Sequence, residues 1–195
     1  MRHRRIPSTA TLFIVIGLLT SCGLQSCTSQ TVPATPVPPT AVPTTPVPTT
    51  PGTPTSLGQR TKTGGCVSSN GLPDSACTPG AVFSDATADQ ICTPGYSSKV
   101  RNVPSDVKAQ AYAEYGIVSH EPGQYEVDHL VALEIGGSND IANLWPEPAD
   151  PPPGFHEKDK VEDYLHDQLC SGKMSLQQVQ LEIATNWLAV YQHLP

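Results

Sequence analysis

Apolar residues recur along the second half of the chain with two different periods, and the points where one gives way to the other mark its elements. Leu176, Val179, Ile183, Ala184, Trp187, Leu188 and Tyr191 form one continuous stripe at helical spacing, opened by the capping box Ser175-Leu176-Gln177-Gln178. Val161, Leu165 and Leu169 fall at four-residue steps between His156 and Cys170, with Gly172 as the stop, which predicts a second helix. A third is expected from an N-cap at Ser105 to about Tyr115, ending at Gly116, with Val107, Ala111, Tyr112 and Tyr115 taken as core. Between these helices the text YEVDHLVALEIGGSNDIANLWP, residues 125–146, changes character. Two runs rich in Val, Leu and Ile, Glu126 to Glu134 and Ile141 to Trp145, flank the turn-forming cluster Gly136 to Asp140, so this stretch reads as a β-hairpin or looped β-ribbon. Asp128 and His129 stand side by side in its first arm. Adjacent strand residues point to opposite faces, so a functional Asp-His pair there predicts that the strand ends or bulges at that point.

The first part of the chain has a different composition. Arg2, His3, Arg4 and Arg5 precede the short apolar run Thr11 to Thr20, which suits a signal peptide better than a membrane span. The run ends in Leu19-Thr20-Ser21-Cys22, which resembles a lipobox and implies a lipid anchor on Cys22; an ordinary signal peptide is the alternative. From Thr28 to Thr55 the chain is almost wholly Thr, Pro, Val and Ala, a stiff extended tether that at 3.1 Å per residue could reach about 90 Å. The expected division is therefore a signal peptide over 1–21, a lipidated tether over 22–59 and a folded domain over 60–195, in a protein exported and held at the cell surface or the periplasmic side of a membrane.

Cysteine usage agrees with an oxidising destination. Cys66, Cys77, Cys92 and Cys170 predict two disulfides whose connectivity stays open, with Cys27 left over; no CxxC pair supports a zinc site. The turns Cys77-Thr78-Pro79-Gly80 and Cys92-Thr93-Pro94-Gly95 make 66–104 a disulfide-pinned, loop-rich lead-in with short strands. His120, in the loop Ser119 to Gly123, reads as a solvated residue.

The hairpin, the following helix and their chemistry together resemble the HNH endonucleases of the ββα-metal class. Asp128-His129 is followed by Gly136-Gly137 and by Asn143, fourteen residues after His129, and His156 opens the next helix. The resemblance covers roughly 77–190, most strongly 125–170, and NLWPEP and HEKDKVEDYL are similar to a secreted bacterial subgroup. It implies an α+β fold with a hairpin-plus-helix core, flanking helices and the pinned N-terminal loop region. It also implies His129 as general base, Asp128 and His156 as metal ligands, and Asn143 as a residue that laces the loop and orients His129, or else as a direct ligand. The usual place of the last ligand falls here on Pro151 and Pro152, so Glu147, Asp150 and Asp159 stand as alternatives to His156. One carboxylate, one imidazole and several oxygens favour Mg²⁺ or Mn²⁺ and also accept Zn²⁺.

Charge constrains this reading. Past the leader, eight Lys and Arg face 18 Asp and Glu, a net charge of about −10, whereas proteins that grip nucleic acid along its backbone are mostly basic. The function expected is thus transient cleavage of DNA, or of RNA, with low sequence selectivity, helped by a divalent cation and by Arg101, Lys158 and Lys160 as phosphate contacts. Arg101 corresponds to a basic position in the resembling subgroup. The reading of a different class is a non-catalytic surface module for adhesion or attachment, using a degenerate hairpin as structure.

Overall fold

The computed structural model describes residues 54–195, an α+β arrangement of two small antiparallel sheets and five helices. The expected leader, Cys22 and Cys27 lie outside the described residues. β1 (Pro54–Ser56) pairs with β2 (Ala81–Phe83), and α1 (Ala88–Ile91), α2 (Tyr96–Val100) and α3 (Ser105–Glu114) follow. β3 (Tyr125–His129) pairs with β4 (Leu144–Pro148), and α4 (Phe155–Cys170) and α5 (Leu176–Tyr191) complete the chain. None of these helices is long and apolar enough to cross a membrane. The end of the expected tether belongs to the fold, because Pro54–Ser56 is a strand and Leu57 packs on the core.

The helices follow their sequence signals closely. Ser175 and Gln178 close the capping box of α5, and Val179, Ile183 and Trp187 are fully buried against Val161, Leu165 and Leu169 of α4. At α3 the cap differs: Pro104, extended at φ −61° and ψ 159°, precedes the helix, and Ser105 is its first residue. The stretch 66–104 contains α1 and α2 as well as the expected loops. Thr87 and Gln90 form a capping box for α1 that the sequence carries as Thr-Ala-Asp-Gln. Gly80 and Gly95 take positive φ, as the two Pro-Gly turns require.

The central pair differs in register from the expected hairpin. Ile141–Asn143 is a 3₁₀ turn, and β4 begins only at Leu144 and runs through Pro146 and Pro148. Both prolines are tolerated because they oppose Val127 and Tyr125, while Leu130 N–H donates to Asn143 O (2.8 Å) and Ala149 N–H to Gln124 O (3.0 Å). In that alternation Pro146 and Pro148 occupy positions whose N–H would face away from β3. β3 ends at His129, the place where a break is expected if the Asp-His pair serves one site, yet the two side chains leave the strand on opposite faces. Opposed residues share a face, so Asp128, Trp145 and Glu147 are on one side of the ladder and Val127, His129 and Leu144 on the other. Trp145 joins the main core with α4 and α5, and Val127 and Leu144 pack with Ala111 of α3.

Two disulfides pin the periphery to this centre. Cys66 joins Cys77 across a separation of 11 residues, and Cys92 beside α1 joins Cys170 at the end of α4 across 78. Such bonds are compatible with an exported protein. Loop-closure entropy gives about 3 kcal/mol for the short loop and about 4.5 kcal/mol for the long one. The double variant Cys92→Ala, Cys170→Ala should therefore lower the urea midpoint more than Cys66→Ala, Cys77→Ala does; the reverse order would mean that the long bridge does not restrain the unfolded chain.

Candidate active site

The strand end, the loop that follows it and the first turns of α4 bring several charged groups together. Lys158 is fully buried. Its ammonium donates to Asp128 Oδ2 (2.7 Å), to the carbonyl oxygen of His129 (2.7 Å) and to the carboxylate of Glu162. Those bonds use all three of its protons. Glu147 lies 3.9 Å away as a further counter-charge. The position expected to greet substrate phosphate is therefore an internal cation, and Lys158 offers no charge to solvent. Glu162, grouped by the sequence with a wet acidic face, is its i+4 partner. Of the other phosphate candidates, Lys160 sits on the exposed side of α4 near Glu157 (3.6 Å) and the Tyr191 ring, away from this group.

One ammonium among three carboxyls sets their protonation. Burial raises the pKa of Asp128, but attraction and hydrogen bonding from Lys158 more than reverse it, and Asp128 titrates below its ordinary range. Burial pushes Glu162 up to about 8 and Glu147 well above its usual value, each only partly offset by Lys158. Both carboxyl oxygens of Glu147 are buried without a hydrogen-bond partner, an environment that suits the neutral, protonated acid. Lys158 loses affinity for its proton through burial and regains more from Asp128, Glu162 and Glu147, so it stays charged. The group is close to neutral: one ammonium, one carboxylate and two carboxylic acids.

His129 is 2% exposed, and its orientation comes from Asn139. Asn139 Nδ2 donates to Val100 O (2.8 Å), and its Oδ1 accepts from Asn102 N–H (3.1 Å) and lies 3.2 Å from His129 Nε2. With the amide fixed by two backbone partners, Nε2 must carry the hydrogen, and Nδ1 keeps its lone pair. Burial is the main reason that the His129 pKa falls to about 4, with Asp128 and Asn139 opposing it and Arg101 adding to it. The ring is thus unprotonated throughout the neutral range. The same Asn139 clamp holds residues 100–102, so Arg101 is exposed on a segment fixed beside His129. Nothing in the local pattern singles out Asn139; its role depends on contacts 37 and 39 residues away.

Asn143 closes the loop between β3 and β4. Its Nδ2 donates to Val131 O (2.9 Å) and Ser138 O (2.9 Å), and its Oδ1 accepts from the N–H groups of Val131 (2.9 Å) and Ala81 (3.3 Å). All its polar capacity is spent on backbone. Gly137 makes this packing possible, since a Cβ there would stand 1.7 Å from Val131 O.

His156 is exposed, with its ring against Phe155 (centroids 4.2 Å apart). No hydrogen bond engages it, Glu126 or Asp159 among the described residues. These groups share the field of Asp128: burial and then Asp128 raise the pKa of both Glu126 and Asp159, and His156 lowers that of Asp159. Asp128 itself is 15% exposed, with the ammonium of Lys158 on Oδ2 and the amide of His129 on Oδ1. No three of Asp128, Asp159, Glu126 and His156 bring donor atoms within 4.8 Å of one another, so the ligands expected for a divalent cation are not gathered into one site. One set of possible ligands does converge, between the end of α1 and α4: the donor atoms of Cys92, His166 and Cys170 lie within 4.8 Å of one another and could hold a metal ion, although the two sulfurs are bonded as a disulfide here. Asp150, an alternative to His156, is exposed and belongs to no such group.

The chain matches no family model, no curated protein and no solved structure.

Two measurements probe the electrostatics. Glu162, with a folded pKa of about 8, holds a proton that the unfolded chain releases near pH 4.5, so its contribution to stability is full below 4.5 and is lost as pH rises to 8. His129 acts oppositely: with a folded pKa near 4 and an ordinary value of 6.5, it makes stability rise with pH across that window. From pH 6.5 to 8 the carboxyls act alone, and urea stability should fall by up to about 1.4 kcal/mol per pH unit per proton; Glu162→Gln should flatten this slope, and an unchanged slope would remove Glu162 as its source. In the second, Asn139→Ala should reduce the population of the Nε2–H form of His129, read from ring ¹⁵N shifts; identical shifts would mean that Asn139 does not set the tautomer.

Proposed function

We propose that this protein is a metal-dependent endonuclease of the HNH type that hydrolyses phosphodiester bonds of DNA or RNA with low sequence selectivity. The observation that carries the reading is the imidazole of His129: it ends a strand, is unprotonated at neutral pH and has its tautomer fixed so that Nδ1 is the free acceptor. Hydrolysis requires a water to lose its proton as it attacks phosphorus, and a positioned His supplies such general-base catalysis. Arg101, held on the Asn139 clamp, is placed to pair with a phosphate oxygen. Asn143 keeps the loop, and with it the strand end, in place. Lys158 holds Asp128 from the interior and caps the carbonyl of His129, so it positions both without meeting substrate. A divalent cation held between Asp128 and His156 would neutralise charge on the phosphoryl group and the departing oxygen.

The order of elements, two antiparallel strands followed by a helix, supports a ββα-metal core with β3, β4 and α4 as its parts. The disulfides support export, and the lipobox-like Leu19-Thr20-Ser21-Cys22 supports anchoring through a lipid on Cys22, with residues up to the fold as a spacer. The rival reading, a non-catalytic surface module, draws on the engagement of Asp128 by Lys158 and by the amide of His129.

One assay decides between them. Plasmid DNA and RNA incubated with the full chain should be cut when Mg²⁺ or Mn²⁺ is added and left intact with a chelator. His129→Ala should lower kcat by about 10²–10⁴-fold with an unchanged circular dichroism spectrum. Intact nucleic acid under every metal tested would leave only the surface module.

A further inference from the structure

A groove opens between α3 and β3 beside the candidate base. It encloses about 350 Å³ and is lined by Arg101, Lys108, Tyr112, Tyr125, Glu126, Val127 and Phe155. That volume lies at the lower end of the range for small-ligand sites. Its floor comes from alternate residues of β3, Tyr125 and Val127, and the next residue on that face is His129. One such step along a strand is about 7 Å, so the groove ends one short step from the imidazole.

The lining has two chemical characters. Three aromatic side chains present ring surface, and two of them are braced through His120, whose ring stacks on Tyr112 (4.5 Å between centroids) and meets Tyr125 edge-on (6.1 Å). Tyr112, which the periodicity assigns to the core, is thus only half-buried and faces open space. Arg101 and Lys108 are both exposed and take part in no ion pair among the described residues. In a chain of net charge −7, two unpaired cations on one aromatic groove mark a local site for an anion attached to a flat ring. Arg101 belongs to both places, since its charge reaches His129 and Glu126 alike.

We infer that this groove is a nucleotide subsite: one unstacked base lies against Tyr112, Tyr125 and Phe155, and Arg101 and Lys108 hold the adjoining phosphates. The inference rests on the nuclease reading and narrows its substrate class to single-stranded or locally unpaired nucleic acid. A base inside a regular duplex is stacked on its neighbours and cannot enter a pocket of this size without leaving the helix. Stacking on aromatic side chains tolerates every base because each has a π face, which agrees with low sequence selectivity.

The test is fluorescence anisotropy of a dye-labelled oligothymidylate with the full chain in chelator, where no cutting interferes. The single strand should bind about tenfold or more tightly than a duplex of equal length. Tyr125→Ala should weaken binding about tenfold, and Lys108→Ala, an exposed change that leaves packing intact, should weaken it and reduce its salt dependence. Absence of binding, equal affinity for duplex, or unchanged affinity in both groove variants overturns the subsite. If single strands bind through Tyr125 and Lys108 but nothing is ever cut, hydrolysis fails and the subsite stands. If cutting occurs and the groove variants leave KM unchanged, the subsite fails and hydrolysis stands.

Discussion

A fully desolvated ammonium is tolerated only where charge and hydrogen bonds replace the water it has lost, and Lys158 is the point at which this fold meets that demand. Its three protons go to a carboxylate on β3, a carbonyl at the end of β3 and a carboxylate one helical turn further along α4. Strand and helix are thereby fixed to each other at one atom. The bond to the carbonyl of His129 also saturates the backbone where regular pairing stops. The strand can end there without a buried unpaired group, and the imidazole can leave the ladder to meet Asn139.

This arrangement lowers the negative charge around the strand end of a strongly acidic domain. Of the carboxyls near the strand end, Glu147 and Glu162 are kept as acids by burial, and the charge of Asp128 is matched by Lys158. The negative field facing His129 is therefore smaller than composition suggests. Arg101, unpaired and held by the Asn139 clamp, then counts for more than its share of the total. Glu126 and Asp159 stand close by, their pKa values raised first by burial and then by Asp128.

The helices were legible because their signals are local: the Ser175–Gln178 box and the stripe through Trp187 depend on residues within a few turns. The strand carrying Asp128 and His129 was legible, and it ends at His129, but the two side chains stay on opposite faces. The start of β4 was not, because Pro146 and Pro148 read as breakers until the register shows their nitrogens facing outward. Lys158 was read as a surface cation although a signal for its burial was present. It stands three residues before Val161, on the same stripe as Leu165 and Leu169, and only the habit of placing lysine in water hides it. Asn139 and the Tyr112 groove depend on segments brought together from far apart in sequence, and no spacing within one element reveals them.

The prolines of β4 have one more effect. The outward border of that strand lacks the N–H groups of residues 146 and 148, and the carbonyl of Leu144 is already taken by the Thr78 hydroxyl at 3.2 Å. On the opposite border, the Asp128 carboxylate covers the amide of His129, and Lys158 covers its carbonyl. Neither margin of the ladder is a ready template for a third strand, so two copies of the molecule cannot readily join there into a continuous sheet. A ribbon of only two strands, open on both sides by topology, is in this way guarded against edge-to-edge aggregation.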